Sequence, residues 1–104
     1  MNDKLKTIAI ITEKGGIPGK DIRQNTLINV FNLENDKICS YESIKLDNND
    51  NESFSMLLKL KNISLIYIES INNELQRTLD KLGISIKFKD EWNGDKFIEQ
   101  FVFG

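Results

Sequence analysis

The 104-residue chain has no histidine, one cysteine (Cys39) and one proline (Pro18). Without an imidazole it lacks the commonest general base near neutral pH and the commonest transition-metal ligand. A Ser-His or Cys-His nucleophilic arrangement is therefore excluded. Cys39 falls within an expected strand, where a lone thiol reads as a packing residue. Positive charge is not in excess either: 14 Lys and Arg stand against 16 Asp and Glu, net -2. That balance argues against nucleic acid as a partner. No apolar stretch approaches the roughly 20 residues of a membrane span. The opening run MNDKLKTIAIIT is cut short by Glu13 and has no small-residue cleavage site, so it reads as a strand and not as a signal peptide. A single cysteine without an export signal makes the cytoplasm the expected compartment.

What is present is an α/β pattern centred on residues 62–83, NISLIYIESINNELQRTLDKLG. Ile63, Leu65, Ile66, Tyr67 and Ile68 form the near-continuous apolar run of a strand covered on both faces. Ser70-Ile71-Asn72-Asn73 offers helix N-caps, and Leu75, Leu79 and Leu82 follow at helical spacing with Gly83 at a C-cap position. Residues 84–88, ISIKF, supply the strand to which that helix returns.

Around this unit the remaining elements fall in order. Residues 5–12, LKTIAIIT, read as a second inner strand. Residues 13–20 hold three of the six Gly and the only Pro and form a loop. Residues 26–33 and 38–46, joined by Glu34-Asn35-Asp36-Lys37, predict a hairpin, and the second strand has no clean apolar side, which suits a sheet edge. In residues 53–61, Phe54, Leu57, Leu58 and Lys61 follow the helical template. Phe97, Ile98, Phe101 and Val102 give residues 96–103 one apolar helical face, under which Phe88 and Trp92 are expected to be buried. The predicted order is β1-β2-β3-α1-β4-α2-β5-α3 in one domain, residues 1–104, with a five-stranded mixed sheet.

In an open α/β sheet, ligands collect beyond the carboxyl ends of strands where the strand order reverses. With β1 beside β4, that place is the 13–20 loop and the Glu69 to Asn73 turn. Backbone N-H groups at the helix start suit an anion or an acceptor oxygen. The candidate ligand-binding residues are Lys14, Gly15, Gly16, Lys20, Arg23, Glu69, Ser70, Asn72 and Asn73. The plainer reading is that the glycines shape a surface loop while Ser70 and Asn72 cap a helix. Gly19-Lys20 is no phosphate loop, because Lys14 stands where its first Gly should be and Asp21 where Ser or Thr should hold magnesium. The Asp47 to Glu52 run is no calcium loop, because Glu52 replaces the turn Gly and Leu58 the bidentate Glu. The 7–12 run has no carboxylate for a two-metal polynucleotidyl transferase.

The whole chain resembles the dinitrogenase iron-molybdenum cofactor biosynthesis family, small ribonuclease H-like domains of this length. Lys6-Thr7-Ile8-Ala9-Ile10 is similar to that family's opening strand, LINVFNLENDKICSYESI to its hairpin, and GDKFIEQFVFG to its closing helix. The resemblance implies a three-layer ribonuclease H-like fold and a nitrogenase-accessory type of role. In that family a His-Phe-Gly-like element precedes the second strand, and a Cys-Gly-Gly-Ile-Gly-like turn follows the buried one. This chain has Asp21-Ile22-Arg23-Gln24-Asn25 and Glu69-Ser70-Ile71-Asn72-Asn73 instead, so it resembles a divergent member. A metal-sulfur cluster is implied by the resemblance alone; the residues themselves supply neither thiolates nor imidazoles for it. The expectation is a noncatalytic binding domain without a metal. Its partner is a small polar or anionic molecule, or else a protein, including a second copy in a homodimer.

Overall fold

The computed structural model describes residues 5–13, 22, 26–35, 37–46, 50–95 and 97. Its strands are β1 (Leu5–Glu13), β2 (Thr26–Glu34), β3 (Lys37–Lys45), β4 (Leu65–Tyr67) and β5 (Ser85–Lys87), in the sheet order β3-β2-β1-β4-β5. β1 and β2, and β2 and β3, pair antiparallel; β4 joins β1 and β5 joins β4 in parallel. This is the five-stranded mixed sheet that the sequence predicts. β4 and β5 are shorter than their apolar runs suggest. Ile63, Ile68 and Ile84 are buried just outside the strands, so apolarity there reports burial and not ladder pairing.

Helix α1 (Asn51–Leu60) begins earlier than predicted because Asp50 is its N-cap: the carboxylate accepts from the Ser53 N-H at 2.7 Å and from the Ser53 hydroxyl at 3.1 Å. Helix α2 (Asn73–Lys81) is capped by Asn72, whose Oδ1 accepts from Leu75 N-H at 2.8 Å. It is followed by Gly83 at φ +77°, the left-handed position that favours Gly. The predicted 96–103 helix lies outside the described residues except for Phe97, which is helical. A short 3-10 turn, Lys89–Glu91, precedes it.

The strand alternation sorts the core into two faces. Ala9, Ile11, Ile28, Val30 and Ile66 meet Phe54 and Leu58 of α1 and Leu75 and Leu79 of α2. Ile8, Ile10, Phe31, Leu33, Leu65 and Tyr67 meet Trp92, with Phe97 packed against them. Trp92 is thus buried, as expected, whereas Phe88 is partly buried against the α1/α2 side of the sheet. Fully burying Phe54 alone removes enough apolar surface to stabilise the fold by roughly 2–3 kcal/mol.

β3 is the edge strand its sequence predicts, exposed along nearly its whole length. The packing role expected of Cys39 is overturned. Asn32 pairs with Ser40 and Leu33 with Ile38, so Cys39 is the extra residue of a bulge and its side chain is exposed. Its thiol points at the Asn32 carbonyl, 3.2 Å away. The bulge, Lys37, Lys45 and the Lys61–Glu42 ion pair at 2.8 Å blunt this edge against strand addition.

Candidate functional site

The β1–β4 register sets Ile10 beside Tyr67. Glu13 and Ser70, each three residues farther on, therefore leave the sheet at the same end. The chain passes from Tyr67 through Ile68 and Glu69 into the turn that starts α2. Asn72 organises that turn. Its side chain takes the Leu75 N-H and its carbonyl takes the Gln76 N-H at 3.1 Å, which leaves the N-H groups of Asn73 and Glu74 at the open end of the helix. Asn72 also exchanges amide contacts with Asn51, 3.4 Å in each direction. The first turns of α1 and α2 therefore lie side by side, and their positive dipole ends share one rim of the domain.

Of the sequence-predicted site residues, Glu69, Ser70, Asn72 and Asn73 belong to this rim. Lys14, Gly15, Gly16, Lys20 and Arg23 lie outside the described residues. Glu69 is half-buried, and its carboxylate stands 3.9 Å from the Lys89 Nζ, while its carbonyl accepts from Lys89 N-H at 3.5 Å. Lys89 and Asn51 were not among the sequence candidates. Lys89 lies two residues past the end of β5, so applying the strand-end rule to β5 as well as β4 finds it. Asn51 sits in the polar run before α1, and only the helix-to-helix contact singles it out. Half-buried Glu13 and Glu69 bring carboxylates to this rim, and Lys89 stands beside Glu69.

Two polar clusters lie on the other face of the sheet. Asn29, buried in β2, donates from Nδ2 to the Ile10 carbonyl and to Thr12 Oγ1, each at 2.9 Å. Its Oδ1 accepts from the Tyr41 hydroxyl at 3.2 Å and the Ser43 hydroxyl at 3.1 Å. One side chain thereby ties three strands together. The second cluster centres on Asp95. Its Oδ2 accepts from the Tyr67 hydroxyl at 2.9 Å and from Lys87 Nζ at 2.7 Å, and its Oδ1 from Phe97 N-H at 3.0 Å. Burial first, and then the hydrogen bond to Asp95 and its negative charge, push the Tyr67 phenol above its ordinary range. The indole N-H of Trp92 donates to the Lys87 carbonyl at 2.9 Å, which fastens the turn after β5 to its own strand.

No family model matches the chain, and no curated protein matches it by sequence. Solved structures do match. PH0822 superposes with a TM-score of 0.67 at 15% identity, over 79% of this chain and 77% of that one. MJ0327 of Methanocaldococcus jannaschii, provisionally named a dinitrogenase, superposes with a TM-score of 0.62 at 19% identity, over 96% of this chain and 91% of that one. The chain shares their fold. At such identities the likeness carries the architecture and leaves activity open.

The donor set does not suit a thiolate-held metal-sulfur cluster at the rim. Cys39 lies on β3, two strands away from β1 across the sheet, and the Glu69 to Asn73 turn presents oxygen and amide groups only. Such groups suit hard cations or hydrogen-bonded organic ligands in preference to iron-sulfur species. Among the described residues no three His, Cys, Asp or Glu side chains converge on a metal-sized point.

Proposed function

We propose that this chain is a noncatalytic accessory domain that binds a small polar or anionic ligand at the β1/β4 strand ends. The observation that carries the reading is the parallel β1–β4 pairing, which delivers the Glu69 to Asn73 turn and the open N-H groups of α2 to the strand-order reversal. The fold shared with MJ0327 supports a nitrogenase-accessory setting, and the cytoplasm is the compartment proposed with it. Lys14, Lys20 and Arg23 are the cations assigned to the ligand on sequence grounds.

Native mass spectrometry of protein purified without oxygen, compared with its denatured mass and iron content, tests the proposal. An iron-free adduct of small mass, retained by the wild type and lost from Ser70→Asp and from Lys20→Glu, is the expected result. Equal retention by both variants refutes placement at the strand ends. Stoichiometric iron refutes the donor-set argument and restores cluster carriage. The same spectra read the mass of the assembly and so record any protein partner that copurifies.

A further inference from the structure

Three of the six large hydrophobic side chains exposed among the described residues lie on the helix layer: Met56 (57%), Leu60 (76%) and Leu82 (40%). Met56 and Leu82 line one groove of about 400 Å³ between α1 and α2, together with Glu52, Lys59, Glu74 and Thr78. The two helices run parallel, since Asn51 meets Asn72 at one end while Lys59 and Leu82 line the other. Each carries an acid in its first turn and a base in its last: Glu52 and Lys59 on α1, Glu74 and Lys81 on α2. Among the described residues, Glu52, Lys59 and Glu74 form no ion pair. The face thus carries Glu52 and Glu74 at one end, Met56 at its middle, and Lys59 with Leu60 and Leu82 at the other.

We infer that this face is a two-fold contact between two copies of the chain. A two-fold axis near Met56 reverses the helix direction in the second copy. Met56 then meets its own counterpart, while Glu52 of each copy comes opposite the Lys59 position of the other. The spacing fits, because Glu52, Met56 and Lys59 stand at i, i+4 and i+7 on one stripe. Self-complementarity of this kind is what an isologous interface requires, and it singles out a second copy over a partner of uniform charge. Two helices of about 15 Å set about 10 Å apart offer less than the roughly 800 Å² per partner of a standard interface, so the dimer is a weak one that dilution dissolves. The contact is independent of the ligand proposed at the strand ends.

Sedimentation velocity from about 5 to 500 μM tests it, across the affinity range of small interfaces. The wild type should move from monomer to dimer over that range, and Leu60→Asp, which leaves the core untouched, should stay monomeric. Glu52→Lys and Lys59→Glu should each raise the dissociation constant about tenfold, since two pairs per dimer turn repulsive. The combined Glu52→Lys and Lys59→Glu variant should recover most of the loss. A wild type that stays monomeric to 500 μM overturns the inference. So does a dimer indifferent to Leu60→Asp, or a double reversal no tighter than the single variants. Circular dichroism on each variant keeps loss of folding from counting as loss of association.

Discussion

Replacing Asn29 by aspartate exchanges one amide nitrogen for oxygen at a position only 5% exposed. In the wild type that nitrogen donates to the Ile10 carbonyl and to Thr12 Oγ1. After the substitution the Thr12 hydroxyl can rotate and donate, as Tyr41 and Ser43 already do. The Ile10 carbonyl cannot, and it faces a carboxylate oxygen. The Ile10 carbonyl keeps its place in the β1–β2 ladder but loses a side-chain donor, at about 1 kcal/mol, and burying the carboxylate beside it costs several more, offset in part by three hydroxyl donors at about 1 kcal/mol or more each. The net expectation is about 3 kcal/mol lost at pH 7. The introduced carboxyl has its folded pKa raised above the unfolded value of about 3.9. Folding therefore favours its protonated form, and the penalty shrinks as pH falls, to about 1 kcal/mol once the restored O-H donates to Ile10. Urea midpoints at pH 7 and pH 4.5, followed by the emission of buried Trp92, the chain's single tryptophan, measure both. Asn29→Leu serves as the control, with a penalty that does not change between the two pH values. A variant within 1 kcal/mol of wild type at pH 7, or a difference that stays constant with pH, would refute the account of Asn29 as the tie between β1, β2 and β3.

The Tyr67 phenol, held above its ordinary range, stabilises the fold fully below its unfolded pKa of about 10 and loses that contribution as pH rises beyond it. Urea unfolding at pH 8 and pH 11 should therefore show a steeper alkaline loss in wild type than in Tyr67→Phe; parallel losses count against the assigned burial and Asp95 contact. Asn72→Ala removes the α2 cap and its partnership with Asn51, at about 1 kcal/mol, and a thermal midpoint unchanged within error contradicts the capping geometry. Gly83→Ala should cost about 1 kcal/mol through its left-handed φ alone, because nothing lies within 4 Å of the added Cβ. Trp92→Ala should cost about 3–5 kcal/mol, and a loss under 1 kcal/mol would mean that the turn after β5 is not anchored through this ring.

The parts of this molecule legible in its sequence are those decided by local chemistry or by period. The Leu75, Leu79 and Gly83 pattern fixed α2 because a helix of nine residues has one buried stripe and a C-terminal stop, and both are written in residue types. The same holds for the edge position of β3, whose mixed faces follow from having solvent on both sides. What could not be read depends on neighbours distant in sequence. An asparagine inside the apolar β2 run looks like a flaw until Tyr41 and Ser43 arrive from β3 to fill its acceptor. Cys39 looks like packing until a one-residue bulge, invisible to alternation, moves it off the ladder. At the rim the capping signal of Asn72 was readable, because an N-cap acts within three residues. Its contact with Asn51 was not, since that depends on how two helices settle on one sheet. The proposed site falls in the second class as well. Glu69 and Lys89 stand twenty residues apart and meet only because β4 and β5 are parallel neighbours. The chemistry of the strand ends is therefore a product of topology, and only its raw materials are visible along the chain.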